Sequence, residues 1–119
     1  HIHCGGKTLL SLRQGKDIWQ GLYEYPLIET EREMDFAELQ QTAEYRRLLE
    51  GAGEIRVQRM LEMPKHILSH RVIYARFYEL EVSRFGGNMN FYLQAGEEEV
   101  EKYAVSRLIE LYRERKYSS

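Results

Sequence analysis

One stretch in the middle of the chain, residues 65–76, concentrates side chains suited to binding chemistry. It holds three lysine or arginine residues, two histidines and a serine, and it has no aspartate or glutamate. Cationic side chains can contact phosphates, and a hydroxyl both donates and accepts hydrogen bonds. The stretch therefore predicts a binding edge, although a β-hairpin with a merely polar turn fits the same pattern. The residues concerned are Lys65, His66, Ser69, His70, Arg71 and Arg76.

Metal binding is a weaker interpretation of the two histidines. On a strand, His66 and His70 lie on one face about 13 Å apart, which is too far for a shared metal ion. The single cysteine, Cys4, supplies neither a paired zinc ligand nor an internal disulfide. The sequence therefore predicts no zinc site, and its cysteine content is typical of a cytoplasmic protein.

Length and composition limit the class of protein. The 119 residues suit a single domain, 1–119, and 43% hydrophobic with 30% charged residues is ordinary for a globular chain. No apolar run approaches the roughly 20 residues of a membrane-spanning helix. The net charge of −2 excludes the broad basic surface of a self-sufficient DNA-binding domain, so a nucleic-acid contact would be a local patch. The start at His1, without an initiator methionine, predicts a fragment of a longer chain.

Turn and capping residues predict the elements before the basic stretch. Gly5 and Gly6 separate two strand-like segments and indicate a hairpin. Asp35, followed by Glu38, forms a capping-box pattern that opens one amphipathic helix extending to Gly51.

The remaining elements follow from hydrophobic periodicity. The basic stretch opens a segment, 65–82, that is too long for an average strand and predicts a long curved strand. Further strands are predicted at 54–63 and 90–93, and a final helix at 98–116. The order is that of an α+β fold, with a mixed β-sheet flanked by two main α-helices.

Three segments resemble a known family. Residues 15–26, which include Trp19, resemble the segment W-x-G-L-W-E-F-P of Nudix-fold domains. Residues 66–70 follow at the right distance, and residues 103–109 resemble a closing helix. Together they resemble the C-terminal domain of the A/G-mismatch-specific adenine DNA glycosylases, which implies a Nudix-like fold. By size alone, Trp19 is predicted to be a core anchor.

The Nudix resemblance raises an enzymatic role that the sequence argues against. Active Nudix hydrolases carry an R-E-x-x-E-E helix after a glycine-rich segment, because several carboxylates on one helical turn hold magnesium against a diphosphate. Here Leu27 and Ile28 follow Pro26 in place of paired glycines, and residues 32–37 lack the second acidic pair. We therefore predict no catalytic residue in this domain. The carboxylates that remain, Glu24, Glu38 and Glu44, are predicted to be solvated.

The resemblance implies that the loop around Ser69 reads a lesion. Oxidation turns guanine N7 from an acceptor into a donor and adds a carbonyl at C8, and Ser69 aligns with the hydroxyl that senses this change. Leu68 takes the place of a wedge in the base stack, where the family commonly has an aromatic residue. His70 is implied to contact the DNA backbone or to hold the loop.

The basic residues around this loop are implied to contact phosphates. Lys65 and Arg71 are the main candidates, and alternation along one strand would send Arg71 and Arg76 to opposite faces, so only one of these two can face DNA. His66 is either part of this site or a structural hydrogen-bonding residue.

The resemblance also implies partners. The parent chain would carry an N-terminal glycosylase domain with an iron–sulfur cluster, while this domain would hold no cofactor. Its nucleic-acid partner would be double-stranded DNA containing an 8-oxoguanine:A pair, with no membrane involved. The alternative is a catalytically inactive Nudix-like module that binds a protein or a nucleotide.

Overall fold

The computed structural model describes residues 1–14, 19–68 and 70–117, apart from the side chain of Leu68. The strands are β1 (Ile2–Cys4), β2 (Lys7–Leu12), β3 (Tyr23–Glu24), β4 (Ile55–Glu62), β5 (His66–Leu68), β6 (Arg71–Ile73), β7 (Arg76–Val82) and β8 (Leu93–Gly96). The α-helices are α1 (Phe36–Gln40), α2 (Ala43–Leu49) and α3 (Arg107–Tyr117), and two 3₁₀ helices span Gly87–Phe91 and Glu97–Lys102.

The predicted N-terminal hairpin is confirmed. Strands β1 and β2 pair in antiparallel, with Cys4 opposite Lys7. Gly5 and Gly6 between them have φ values of 58° and 80°. Positive φ at both central residues is what a type I′ two-residue hairpin turn requires, and glycine adopts it without strain.

The strands form a mixed six-stranded sheet and a separate two-stranded one. The larger sheet has the order β3-β2-β1-β7-β4, with β8 paired to β2. Strand β1 runs parallel to β7, whereas β2 pairs in antiparallel with β1, β3 and β8. Strands β4 and β7 pair in antiparallel, and their register shifts between Val57 and Arg59, where the hydrophobic alternation of the sequence also slips. Strands β5 and β6 pair only with each other among the described strands.

Two hydrophobic clusters lie on opposite faces of the larger sheet. Leu9 of β2 packs in the first cluster with Leu49 of α2, and Leu10 packs in the second with Leu108 and Ile109 of α3. Successive residues of a strand point to opposite faces, so α2 and α3 cover different sides. The predicted α+β class, a mixed sheet flanked by helices, is confirmed. In the described part of the chain, no helix has the length and apolar character to cross a membrane.

The helix predicted from Asp35 to Gly51 is wrong in one respect, because the chain forms two short helices instead. The capping box is present: the Asp35 side chain accepts from the Glu38 N–H at 2.8 Å, and Glu38 reaches back to the Asp35 N–H. Thr42 then ends α1 and caps α2, since its hydroxyl accepts from the Tyr45 N–H at 3.2 Å. A second N-cap residue inside the amphipathic pattern therefore divides the predicted helix into two.

The final helix also begins later than predicted. Residues 103–106 separate the 3₁₀ helix from α3. This segment pairs with the sheet instead of forming a helix. Ala104 accepts a backbone hydrogen bond from the Tyr23 N–H at 2.8 Å, and Val105 forms a β-bridge with Tyr23. The strand predicted at 90–93 is likewise displaced, since residues up to Phe91 are in a 3₁₀ helix and β8 begins at Leu93.

Candidate functional site

The basic stretch forms a hairpin rather than part of the one long strand predicted over residues 65–82. Strands β5 and β6 pair in antiparallel with His66 opposite Ile73, Ile67 opposite Val72 and Leu68 opposite Arg71. The predicted curved strand 65–82 is therefore wrong, and the hairpin that the sequence also allowed is present. Strand β7 begins only at Arg76. The residue before it, Ala75, accepts a backbone hydrogen bond from the Met63 N–H at 3.0 Å.

The inner face of the hairpin packs on the body of the domain. Ile73 and Ala75 are half-buried against the second hydrophobic cluster, as is Trp19. The Trp19 ring lies 6.3 Å from the half-buried His66 ring, centre to centre. Trp19 is thus a half-buried anchor at the margin of the core, and its ring contacts the hairpin at His66.

Three of the predicted site residues are exposed at the end and edges of the hairpin. Lys65 precedes β5, His70 lies in the turn, and Arg71 opens β6; all three are exposed. None of them forms an ion pair or a hydrogen bond with another described side chain. Ser69, the predicted lesion reader, lies outside the described residues, as does the side chain of Leu68, the predicted wedge.

The expected geometry of the two histidines is wrong. His66 is on β5, whereas His70 lies in the turn after that strand, so the two do not share one strand face. The described residues hold no group of three or more histidine, cysteine, aspartate or glutamate side chains placed to hold a metal ion.

Arg76 differs from the other basic residues because intramolecular partners hold it. Its guanidinium donates to the Met34 carbonyl at 2.6 Å, forms an ion pair with Glu33 and lies 3.6 Å from Glu62. The expectation that Arg71 and Arg76 alternate along one strand is wrong, since they belong to β6 and β7.

The outer face of the hairpin carries apolar side chains that the sequence interpretation did not identify. Ile67 is 69% exposed and Val72, directly opposite, is 48% exposed. Tyr74, just after β6, is 79% exposed. The sequence contains these apolar residues, but which of them point outward can be decided only once the position of the turn between β5 and β6 is known.

A concave surface also lies elsewhere on the fold. It is an open groove of ≈ 610 Å³ whose lining includes Leu12, Arg13, Glu24, Phe91 and Tyr92. Glu24, predicted to be solvated, is instead half-buried and lies 3.3 Å from the Arg13 guanidinium. Phe91 is 88% exposed at the rim.

Comparison with known proteins places this architecture in a family. Neither a curated protein nor a solved structure gives a significant match to the chain. The family model described as "NUDIX domain" matches residues 1–115. That match covers all the elements from β1 to α3, apart from the last two described residues. The chain belongs to the NUDIX domain family.

Proposed function

We propose that this domain recognises 8-oxoguanine opposite adenine in duplex DNA, as the non-catalytic reader of an adenine DNA glycosylase that acts in base-excision repair. The observation that carries the proposal is the β5–β6 hairpin, which presents three exposed cationic or imidazole side chains that have no ion-pair partner among the described residues. Residues 66–70 of this hairpin are also the segment that resembles the lesion-reading loop of those glycosylases.

A two-stranded ribbon suits the DNA groove in which this lesion differs from guanine. The major groove is about 12 Å wide and admits an antiparallel ribbon, and guanine N7 lies at its floor. A serine hydroxyl accepts from the N7–H of 8-oxoguanine, whereas unmodified N7 offers only an acceptor. Ser69 takes that role, and Leu68 acts as an apolar wedge beside it.

The basic side chains fix the position of the ribbon rather than its preference for the lesion. Lys65 and Arg71 contact phosphates, and His70 contacts the backbone or supports the loop. His66 contributes indirectly, because its ring contacts Trp19 at the base of the hairpin. Since the net charge of the chain is −2, this patch gives only weak general affinity, and the rest of the parent enzyme adds to it.

The proposal assigns the chemistry to another part of the parent enzyme. Adenine would be flipped and hydrolysed by an N-terminal glycosylase domain that carries the iron–sulfur cluster, in the cytoplasm of the cell. This domain would contact that partner domain and the strand that holds 8-oxoguanine.

The test is an NMR titration of residues 1–119 with short duplexes that contain either 8-oxoguanine:A or G:A. We expect selective amide shifts at Leu68, Ser69 and His70 with the lesion duplex. In the parent enzyme, Ser69→Ala should reduce the preference for 8-oxoguanine:A over G:A about fivefold to thirtyfold, equivalent to one or two hydrogen bonds of about 1 kcal/mol each.

Two results would contradict the proposal. Equal losses on both duplexes would assign Ser69 to general affinity or folding. Unchanged hairpin amides with both duplexes at low salt, together with an unchanged preference in the parent Ser69→Ala variant, would leave the alternative of an inactive module that binds a protein or a nucleotide.

A further inference from the structure

The outer face of the β5–β6 hairpin leaves a contiguous apolar surface without a partner in the described part of the chain. Single exposed apolar side chains are ordinary on a protein surface. Here three of them, Ile67, Val72 and Tyr74, are 69%, 48% and 79% exposed within eight residues of chain. We call these three residues the outer face.

Strand geometry explains why the three side chains share one side. His66 and Ile73 form a cross-strand pair that packs inward, toward Trp19 and the second hydrophobic cluster. The next pair, Ile67 and Val72, must therefore point outward, with Cβ atoms about 5 Å apart. Tyr74 follows Val72 by two residues and continues the same side.

The charges around the outer face indicate the kind of partner. Residues 63–78 contain no aspartate or glutamate. Lys65 precedes β5, His70 lies in the turn and Arg71 opens β6, so all three are near the apolar pair along the hairpin; they are exposed and have no ion-pair partner among the described residues. An apolar strip on a hairpin that also carries basic residues without acidic partners among the described residues is complementary to duplex DNA, whose sugar and thymine methyl groups lie between phosphates.

We propose that the outer face is a second DNA-contacting surface, which sets affinity for the duplex independently of the lesion. This inference rests on the proposed function: Ser69 discriminates the lesion, and the outer face adds affinity for either duplex. Ile67 and Val72 pack on sugar and methyl groups, and the Tyr74 ring packs on a sugar at the margin of the contact.

The test compares outer-face variants with a matched control by fluorescence anisotropy on 8-oxoguanine:A and G:A duplexes at low salt. Tyr74→Ala removes the exposed ring, and the double variant Ile67→Thr with Val72→Thr keeps β-branched residues in the strands. Phe91→Ala, which removes a ring that is 88% exposed outside the hairpin, is the control. Circular dichroism and thermal unfolding confirm that each variant folds.

We expect Tyr74→Ala and the double variant each to weaken binding to both duplexes by about tenfold, in line with the loss of buried apolar side-chain area. The ratio between the duplexes should stay at its wild-type value, and Phe91→Ala should bind as the wild type does. A loss confined to the lesion duplex, or an equal loss in Phe91→Ala, would contradict an independent contact.

The outcomes for this inference and for the proposed function are distinguishable. If the wild type prefers the lesion duplex and the outer-face variants bind normally, the inference fails and the proposed function stands. If the wild type shows no lesion preference while the variants still weaken binding, the inference stands and the lesion reader fails. Wild-type protein that binds neither duplex, alone or within the parent enzyme, overturns both.

Discussion

Arg71 and Arg76 show how neighbouring residues of one type acquire different roles. Both belong to the acid-free stretch, but Arg76 contacts the Met34 carbonyl and Glu33 at the start of β7, which holds the loop before α1. Arg71 is exposed on the hairpin and has no such contact among the described residues. A guanidinium without an intramolecular partner remains available to an external anion, whereas a neutralised one does not.

Replacing Arg71 by glutamine should therefore change the electrostatics of DNA binding. Loss of one phosphate contact should weaken binding to both duplexes similarly and make the slope of log affinity against log salt concentration shallower by about 1. Fluorescence anisotropy titrations over a series of salt concentrations measure this slope.

Arg76→Gln is the matched control for that measurement. It should lower the free energy of unfolding, because it removes the link to Met34 and Glu33, while the salt slope of binding stays at its wild-type value. Equal slopes for wild type and Arg71→Gln would place Arg71 outside the DNA contact.

At the scale of elements, the junction between α1 and α2 depends on one hydroxyl. Thr42 donates to the Leu39 carbonyl at 2.7 Å, which closes the end of α1, and accepts from the Tyr45 N–H, which opens α2. Helix α2 has seven residues, too few to be stable alone, so its cap and the burial of Tyr45 and Leu49 hold it on the sheet.

Thr42→Ala should accordingly reduce the free energy of unfolding by about 1 kcal/mol, within the range for loss of a helix N-cap. Urea unfolding followed by circular dichroism measures the change. Thr42→Ser keeps a capping hydroxyl and should retain most of the stability. If serine and alanine destabilise equally, the lost methyl group rather than the cap is responsible.

Local signals in the sequence predicted some elements and could not predict others. Glycines with positive φ and a capping box act within a few residues, so the hairpin at Gly5 and the start of α1 were predicted correctly. The break at Thr42 was missed because hydrophobic periodicity continues through it. The late start of α3 depends on a contact with Tyr23, more than 80 residues away, which no local pattern reveals.

The candidate site was predictable in composition but not in arrangement. Charge alone marked Lys65 and Arg71, since neither needs a tertiary contact to be exposed. The inward direction of His66 depends on Trp19, and the outward direction of Ile67 follows from it. Both required the register of the hairpin, which is set by a turn that carries no glycine or proline.

At the scale of the whole molecule, buried tyrosines join α3 to the sheet. The Tyr112 side chain is fully buried, stacks on Phe77 at 4.2 Å and has its hydroxyl 2.8 Å from the His1 ring nitrogen Nδ1. The Tyr25 hydroxyl accepts from the Arg113 guanidinium at 2.8 Å. Both phenols must remain protonated to keep these positions, because burying a phenolate away from water is costly.

This arrangement predicts a loss of stability in alkaline solution. Burial raises the pKa of Tyr25 and of Tyr112 above the ordinary value of 10.0, with the nearby Glu79 adding to the effect at Tyr112. Above that value the unfolded chain releases both protons while the folded chain retains them. The folded state then binds more protons than the unfolded state, so the free energy of unfolding falls as pH rises.

Urea unfolding between pH 8 and pH 11 should show this decline, which begins near the ordinary pKa of tyrosine. Tyr112→Phe should start from a lower stability at pH 8, because the hydrogen bond to His1 is lost, and should then decline less steeply above about pH 10. Tyr74→Phe removes the hydroxyl of an exposed tyrosine and should keep the wild-type profile. If the stability of Tyr112→Phe declines as steeply as that of the wild type, the Tyr112 hydroxyl does not govern the alkaline transition. The decline would then be assigned to Tyr25 and its contact with Arg113.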